Sequence, residues 1–170
     1  MKCILLFLMG ISLNLTCFSQ DHQDPEFTKG YIFPVGLKTG LVTTFNKKPE
    51  LFIGSVFLNP QWIVKRNVLR VGPDLSLAYS SNNISALMGV TAAVKIKTLG
   101  GLLGSYANIY LQPSAQWGTA KQQLIGLAVG AEVFKLIHVQ LKCDRDYHFN
   151  NWQFQSGVAI NIFKTKEKFD

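Results

Sequence analysis

Read two residues at a time, this chain keeps its charges off one face. Near 31–45, Tyr31, Phe33, Val35, Leu37, Thr39 and Leu41 share one parity, and Gly36, Lys38 and Gly40 share the other. Near 67–79, Leu69, Val71, Leu75, Leu77 and Tyr79 alternate with Arg70, Gly72, Asp74, Ser76 and Ala78. Successive side chains of a β-strand point to opposite faces, so each stretch is a ribbon with one apolar and one polar side. Similar alternation recurs near 83–97, 103–117, 123–134, 136–147 and 151–163, and a segment near 51–62 completes a set of eight. Lys38, Arg70, Asp74, Lys95, Glu132, His138, Lys142 and Asp144 all take the polar parity, and none of them takes the apolar one. A lysine or arginine facing lipid at mid-bilayer costs about 2–4 kcal/mol, so strands that cross a membrane must segregate charge in this way. The expected fold is all-β: an eight-stranded antiparallel up-and-down transmembrane β-barrel over 31–163, apolar towards lipid and polar towards its lumen.

A helical span is a poor alternative. Residues 98–120 carry no charge, but Gly100, Gly101, Gly104, Asn108, Gln112, Pro113 and Gln116 interrupt them, and the apolar residues recur at two. The ends of the chain differ from its middle. Residues 1–19 join Lys2 to an apolar run at 4–15, with small Cys17 and Ser19 just before Gln20, a pattern expected of a cleaved secretory signal peptide. Polar residues 20–30 then read as a periplasmic lead-in, and 164–170 as a basic tail carrying Lys164, Lys166 and Lys168. Loss of Lys2 lowers the formal net charge from +7 to +6. The remaining cations are mostly single, with pairs at Lys47-Lys48 and Lys65-Arg66. That spread suits turns lying near lipid headgroups better than a nucleic-acid patch, and no nucleic-acid partner is expected. With Cys3 and Cys17 in the signal, Cys143 stands alone, so neither a disulfide framework nor zinc spacing is present.

Two features resist the barrel reading. Pro34, Pro60, Pro73 and Pro113 fall inside expected strands, where a closed barrel has no free edge, and central Pro73 is expected to mark a bulge or a misplaced boundary. The second segment is apolar on both parities, with Phe52, Val56, Leu58 and Trp62 on one and Ile53 and Phe57 on the other. Aromatics favour the membrane: Tyr31, Phe45, Phe52, Trp62, Tyr79, Trp117 and Phe154 sit near segment ends on the apolar parity, as interfacial girdles do. The breaks between segments are short, the longest being 144–151, which argues against a long adhesive or gating loop.

Near the C-terminus, Gln155-Ser156-Gly157-Val158-Ala159-Ile160-Asn161-Ile162 resembles the terminal-strand signal of outer-membrane barrels, with Gln155, Gly157, Ile160 and Ile162 at its marked positions. It departs from the usual aromatic ending, because Phe163 is followed by 164–170. Over its mature length the chain is similar in pattern to the small OmpA/OmpX-type eight-stranded barrels. The resemblance implies residence in the outer membrane of a Gram-negative envelope and recognition by the barrel-insertion machinery.

The eight polar-parity residues are expected to fill the lumen as a paired network, since an eight-stranded barrel is about wide enough for side chains alone. A structural or interaction role in the envelope follows, with outer-membrane lipid, the insertion machinery and an unidentified envelope protein as partners, and with no cofactor or metal. Two other classes compete. Some outer-membrane barrels act on lipid A, and His148-Phe149-Asn150-Asn151 resembles the His-x-Ser-Asn stretch of the deacylases among them. Asn150, however, stands at the serine position, and an amide cannot replace a hydroxyl nucleophile, so no enzyme activity is expected. A soluble lipocalin-like carrier would turn the apolar parity inward around a ligand, and parity alone does not tell inside from outside. The face assignment also predicts that Arg at Leu75 or Val90 impairs insertion far more than Arg at Ser76 or Thr91.

Overall fold

The computed structural model describes residues 31–45, 51–65, 68–80, 83–100, 106–119, 121–134 and 136–162. The expected signal peptide at 1–19, lead-in at 20–30 and tail at 164–170 lie outside these residues, as do Leu103 and Phe163. Strand β1 runs in two pieces, Tyr31–Ile32 and Pro34–Thr43, and β2 likewise in Leu51–Leu58 and Gln61–Lys65. The others are β3 (Leu69–Ser80), β4 (Asn83–Gly100), β5 (Tyr106–Gly118), β6 (Gln123–Val133), β7 (Ile137–Asp146) and β8 (Asn151–Asn161). Each strand pairs antiparallel with the next in sequence, and β8 returns to β1 from Trp152↔Thr43 to Asn161↔Pro34. The result is a closed eight-stranded antiparallel barrel. The ladder that leaves Val35 passes Leu58, Leu75, Met88 and Trp117 to reach Gln123. It climbs from the terminal end of β1 to the opposite end of β6, the stagger that a tilted, closed sheet requires.

The apolar parity faces outward. Leu37 is 65% exposed, Leu77 57%, Val90 57% and Leu141 66%, whereas inward Arg70, Asp74, Glu132 and Asp144 are at most 1% exposed. This orientation overturns the lipocalin-like alternative, which needs the opposite arrangement. All seven flanking aromatics named from the sequence are exposed on the outer face, near one barrel end or the other. The two-sided apolar character of β2 has a simple origin. Its inward Ile53 and Phe57 are buried in the lumen, while Phe52, Val56 and Trp62 face out.

The prolines are accommodated without the bulge expected at Pro73. The β2–β3 register is the same at Leu58↔Leu75 and at Trp62↔Val71, so Pro60 and Pro73 lie opposite each other in the gap between. Neither can donate a hydrogen bond, and placing them together confines the lost ladder to one point. Pro34 heads the long piece of β1, where its carbonyl accepts from the Asn59 N–H at 3.0 Å. Pro113 faces outward and remains paired with Leu127. The register shifts fall elsewhere, between Ile63 and Lys65 and between Lys95 and Lys97.

A second expectation is corrected at the strand ends. Strand β7 continues to Asp146, and its alternation puts Arg145 on the outer, apolar face between Ile125 and Trp152. The shift in β4 likewise leaves Lys97 exposed beside exposed Ile96. Charge is therefore absent from the outer face over the middle of the strands, not over their whole length.

Candidate functional site

The inward side chains form three layers. At the end opposite the chain termini, Ile53 from β2, Ala78 from β3, Leu87 from β4 and Leu124 from β6 pack together with Val42 of β1 against them. Adjacent strands β1 to β4 here meet Leu124 of β6, which stands across the barrel from β2, so these residues form an apolar plug across the lumen.

Below the plug lies the first charged layer. Lys142 on β7 is its centre: Nζ stands 3.1 Å from Asp144 Oδ1 and 3.7 Å from Asp74 Oδ2, and donates to Gln116 Oε1 at 3.0 Å. Asp74 comes from β3 and Gln116 from β5, so these contacts cross the barrel from wall to wall. Lys38 enters from β1 with its ammonium 4.1 Å from the centre of the Phe57 ring. A cation over an aromatic face gains from the ring quadrupole, and Phe57 thereby gives an apolar inward residue a polar task. Gln155 accepts from Ser55 at 3.5 Å and donates to Gln153 at 3.3 Å along the same wall.

The second charged layer lies nearer the termini. Arg70 on β3 meets Glu132 on β6 at 2.8 Å, and both side chains are at most 1% exposed. His138, directly opposite Glu132 in the β6–β7 ladder, places Nε2 3.6 Å from the same carboxylate oxygen, and its Nδ1 is 3.2 Å from the Tyr110 hydroxyl. In the first layer Lys142 and in the second Arg70 lie within contact range of carboxylates, which keeps the desolvation cost of those buried charges within reach of compensation.

Two glycines make room for this packing. A Cβ at Gly126 would strike the Asp144 carboxylate, and one at Gly130 would strike the Tyr110 ring. Tyr110 and Gly130 are cross-strand partners, so the ring lies over the bare backbone of the neighbouring strand.

Of the eight residues named from the sequence, Lys38, Asp74, Lys142 and Asp144 meet in the first charged layer, and Arg70, Glu132 and His138 in the second. Lys95 opposes Tyr110 of the second layer at the register shift and is half-buried. Sequence reasoning gave no role to Tyr110 or Gln116, although both sit on the polar parity of β5. It also left Asp146, which the segment near 136–147 contains on its polar parity, out of the lumen set. That carboxylate is fully buried and accepts from the backbone N–H groups of His148 at 2.9 Å, Phe149 at 3.1 Å and Gln123 at 3.4 Å, tying down the β7–β8 loop. Among the described residues no group of three or more His, Cys, Asp or Glu is placed to hold a metal ion. In the terminal-strand segment, Gln155 and Gly157 face the lumen, and Ile160 and Ile162 are exposed outside.

No protein-family model matches the chain, and no curated protein does. Among solved structures, a protein from the de novo design of transmembrane β-barrels aligns over 81% of this chain and 100% of its own length, with a TM-score of 0.53 and 14% identity. A second designed barrel, solved in solution by NMR, aligns over 84% and 99% with a TM-score of 0.49 and 11% identity. The porin KdgM, in complex with disordered oligogalacturonate, aligns over 78% and 99% with a TM-score of only 0.29 and 11% identity. The first of these likenesses concerns the fold alone, and it agrees with the apolar exterior and polar lumen: the chain has the architecture of a small transmembrane β-barrel.

Proposed function

We propose that this chain is an exported outer-membrane barrel of a Gram-negative envelope, with a structural or interaction role and not that of a general pore. The observation that carries this reading is the combination of an uncharged apolar belt outside with a lumen crossed by two paired layers and an apolar plug. A barrel with such an exterior needs lipid around it. A lumen with such an interior leaves little room for solute. The terminal-strand segment through Gln155, Gly157, Ile160 and Ile162 would serve the insertion machinery, and the lumen network would stiffen a scaffold offered to an envelope partner. No catalysis is assigned. In the histidine loop Asn150 has a positive φ of 53°, and its side-chain carbonyl accepts from Arg145, so it acts as a turn residue.

The test is gel mobility of detergent-folded mature protein, boiled against unboiled, with conductance of the same sample in a planar bilayer. A boiling-dependent shift without steady ion current is expected. Folding without detergent and without a shift would overturn the membrane reading, and a steady porin-sized current would overturn the filled lumen.

A further inference from the structure

The one cation on the outer wall of β7 sits in a setting that points to a ligand. Arg145 lies at the end of the barrel away from the termini, flanked on its face by Ile125 and Trp152. Its neighbours in sequence offer it no counter-charge there, because Asp144 and Asp146 point into the lumen. The guanidinium is held in place: it donates to Asn150 Oδ1, and its carbon is 5.1 Å from the Trp152 ring centre. The bond to Asn150 occupies one of five donors, and a guanidinium presents the rest in a fork that matches a phosphate.

Beneath Arg145 the outer wall is hollowed. Small Cys143 lies two residues before it on β7, and small Ser156 lies diagonally below on β8, so the larger side chains around them border an open furrow of about 1070 Å³. One wall is aromatic: Phe154 stacks with Trp152 at 6.5 Å and meets Phe45 edge-on at 6.3 Å. An apolar furrow in the lipid-facing belt, headed by a positioned cation at the interfacial girdle, has the polarity of one lipid molecule: chain below, anion above.

We propose that this furrow holds an acyl chain of a phosphate-bearing membrane lipid whose phosphate rests on Arg145. The inference depends on the membrane-spanning reading above. It adds a site: the lipid is selected by charge at one place on the wall and does not merely surround the barrel.

The experiment uses mature protein carrying W62F and W117F, which leaves Trp152 as the fluorophore, folded into phosphatidylcholine vesicles. A small fraction of the lipid is chain-brominated phosphatidic acid or, in the parallel sample, chain-brominated phosphatidylcholine. The acid is expected to be enriched about fivefold at Trp152 over its bulk fraction, the size of one cation's attraction for an anionic lipid. R145Q should abolish the excess quenching, R145K should keep part of it, and C143L, which fills the furrow, should reduce it. K121Q, a charge removed from another loop at the same end, should leave it unchanged. Equal quenching by the two lipids, or an excess that survives R145Q, overturns the proposal. Boil-dependent mobility of the same vesicles separates the two readings. A protein that inserts without enrichment sinks the lipid site alone, and one that does not insert sinks the membrane reading and the site with it.

Discussion

Glu132 shows how far a single lumen residue can matter. Its carboxylate faces Arg70 at 2.8 Å and His138 at 3.6 Å with no access to solvent. Replacing it by Gln takes a full charge from beside a guanidinium that stays buried, and removal of one member of such a pair costs about 3–5 kcal/mol. Replacing both members, Arg70→Met with Glu132→Leu, removes the charges together and should cost less than E132Q alone. Urea unfolding in vesicles, followed by tryptophan fluorescence, measures both. A double variant weaker than the single would show that the pair itself, and not buried charge, governs stability. Gly130 gives a second residue-scale prediction. The Tyr110 ring occupies the space an alanine Cβ would need, so G130A should destabilise by about 1–3 kcal/mol through overpacking. In the Y110A background the same change should cost much less, a coupling that a double-mutant cycle reads directly.

At the scale of the strand, the depth of a residue decides its tolerance. Leu75 and Val90 lie on the outer face along the barrel wall, and Arg at either should cost about 2–4 kcal/mol, whereas Arg at Thr43, the last residue of β1, should cost about 0–1. Folding yield into vesicles and urea midpoints check this; equal losses at all three sites would mean that the outer face is not graded by a bilayer. The contrast with Ser76 and Thr91 expected from parity is weaker than it first looks. Both are buried in a packed lumen, so an arginine there also collides with its surroundings. The strands were legible because one face is held to lipid's intolerance of charge, which writes a period of two into the sequence. That constraint lapses where strands leave the belt, and there the reading failed: Arg145 and Lys97 face outward at strand ends. β2 was ambiguous because Ile53 and Phe57 serve the plug and the Lys38 contact, so burial replaced polarity on its inner face. The alignment of Pro60 with Pro73 is a matter of register between strands, which alternation within one strand does not encode.

For the whole barrel, the same alternation is compatible with either side facing in, and only closure of the sheet resolves it. The polar parity could be named residue by residue, but the division into two charged layers under an apolar plug depends on how far each strand is staggered against its neighbours. That division has a consequence for salt. The lumen pairs are shielded from solvent, and mobile ions screen buried charges far less than exposed ones. Raising ionic strength from about 0.05 M to about 1 M shortens the Debye length from roughly 14 Å to about 3 Å, enough to erase most attraction between exposed charges. The urea midpoint of the folded barrel should therefore hardly move over that range, while phosphatidic acid enrichment at Arg145, which lies at the membrane surface, should fall towards its bulk fraction. A midpoint that drops steeply with salt would mean that water and ions reach Lys142 and Arg70. The lumen would then be an open polar path, and the barrel a conductor instead of a closed scaffold.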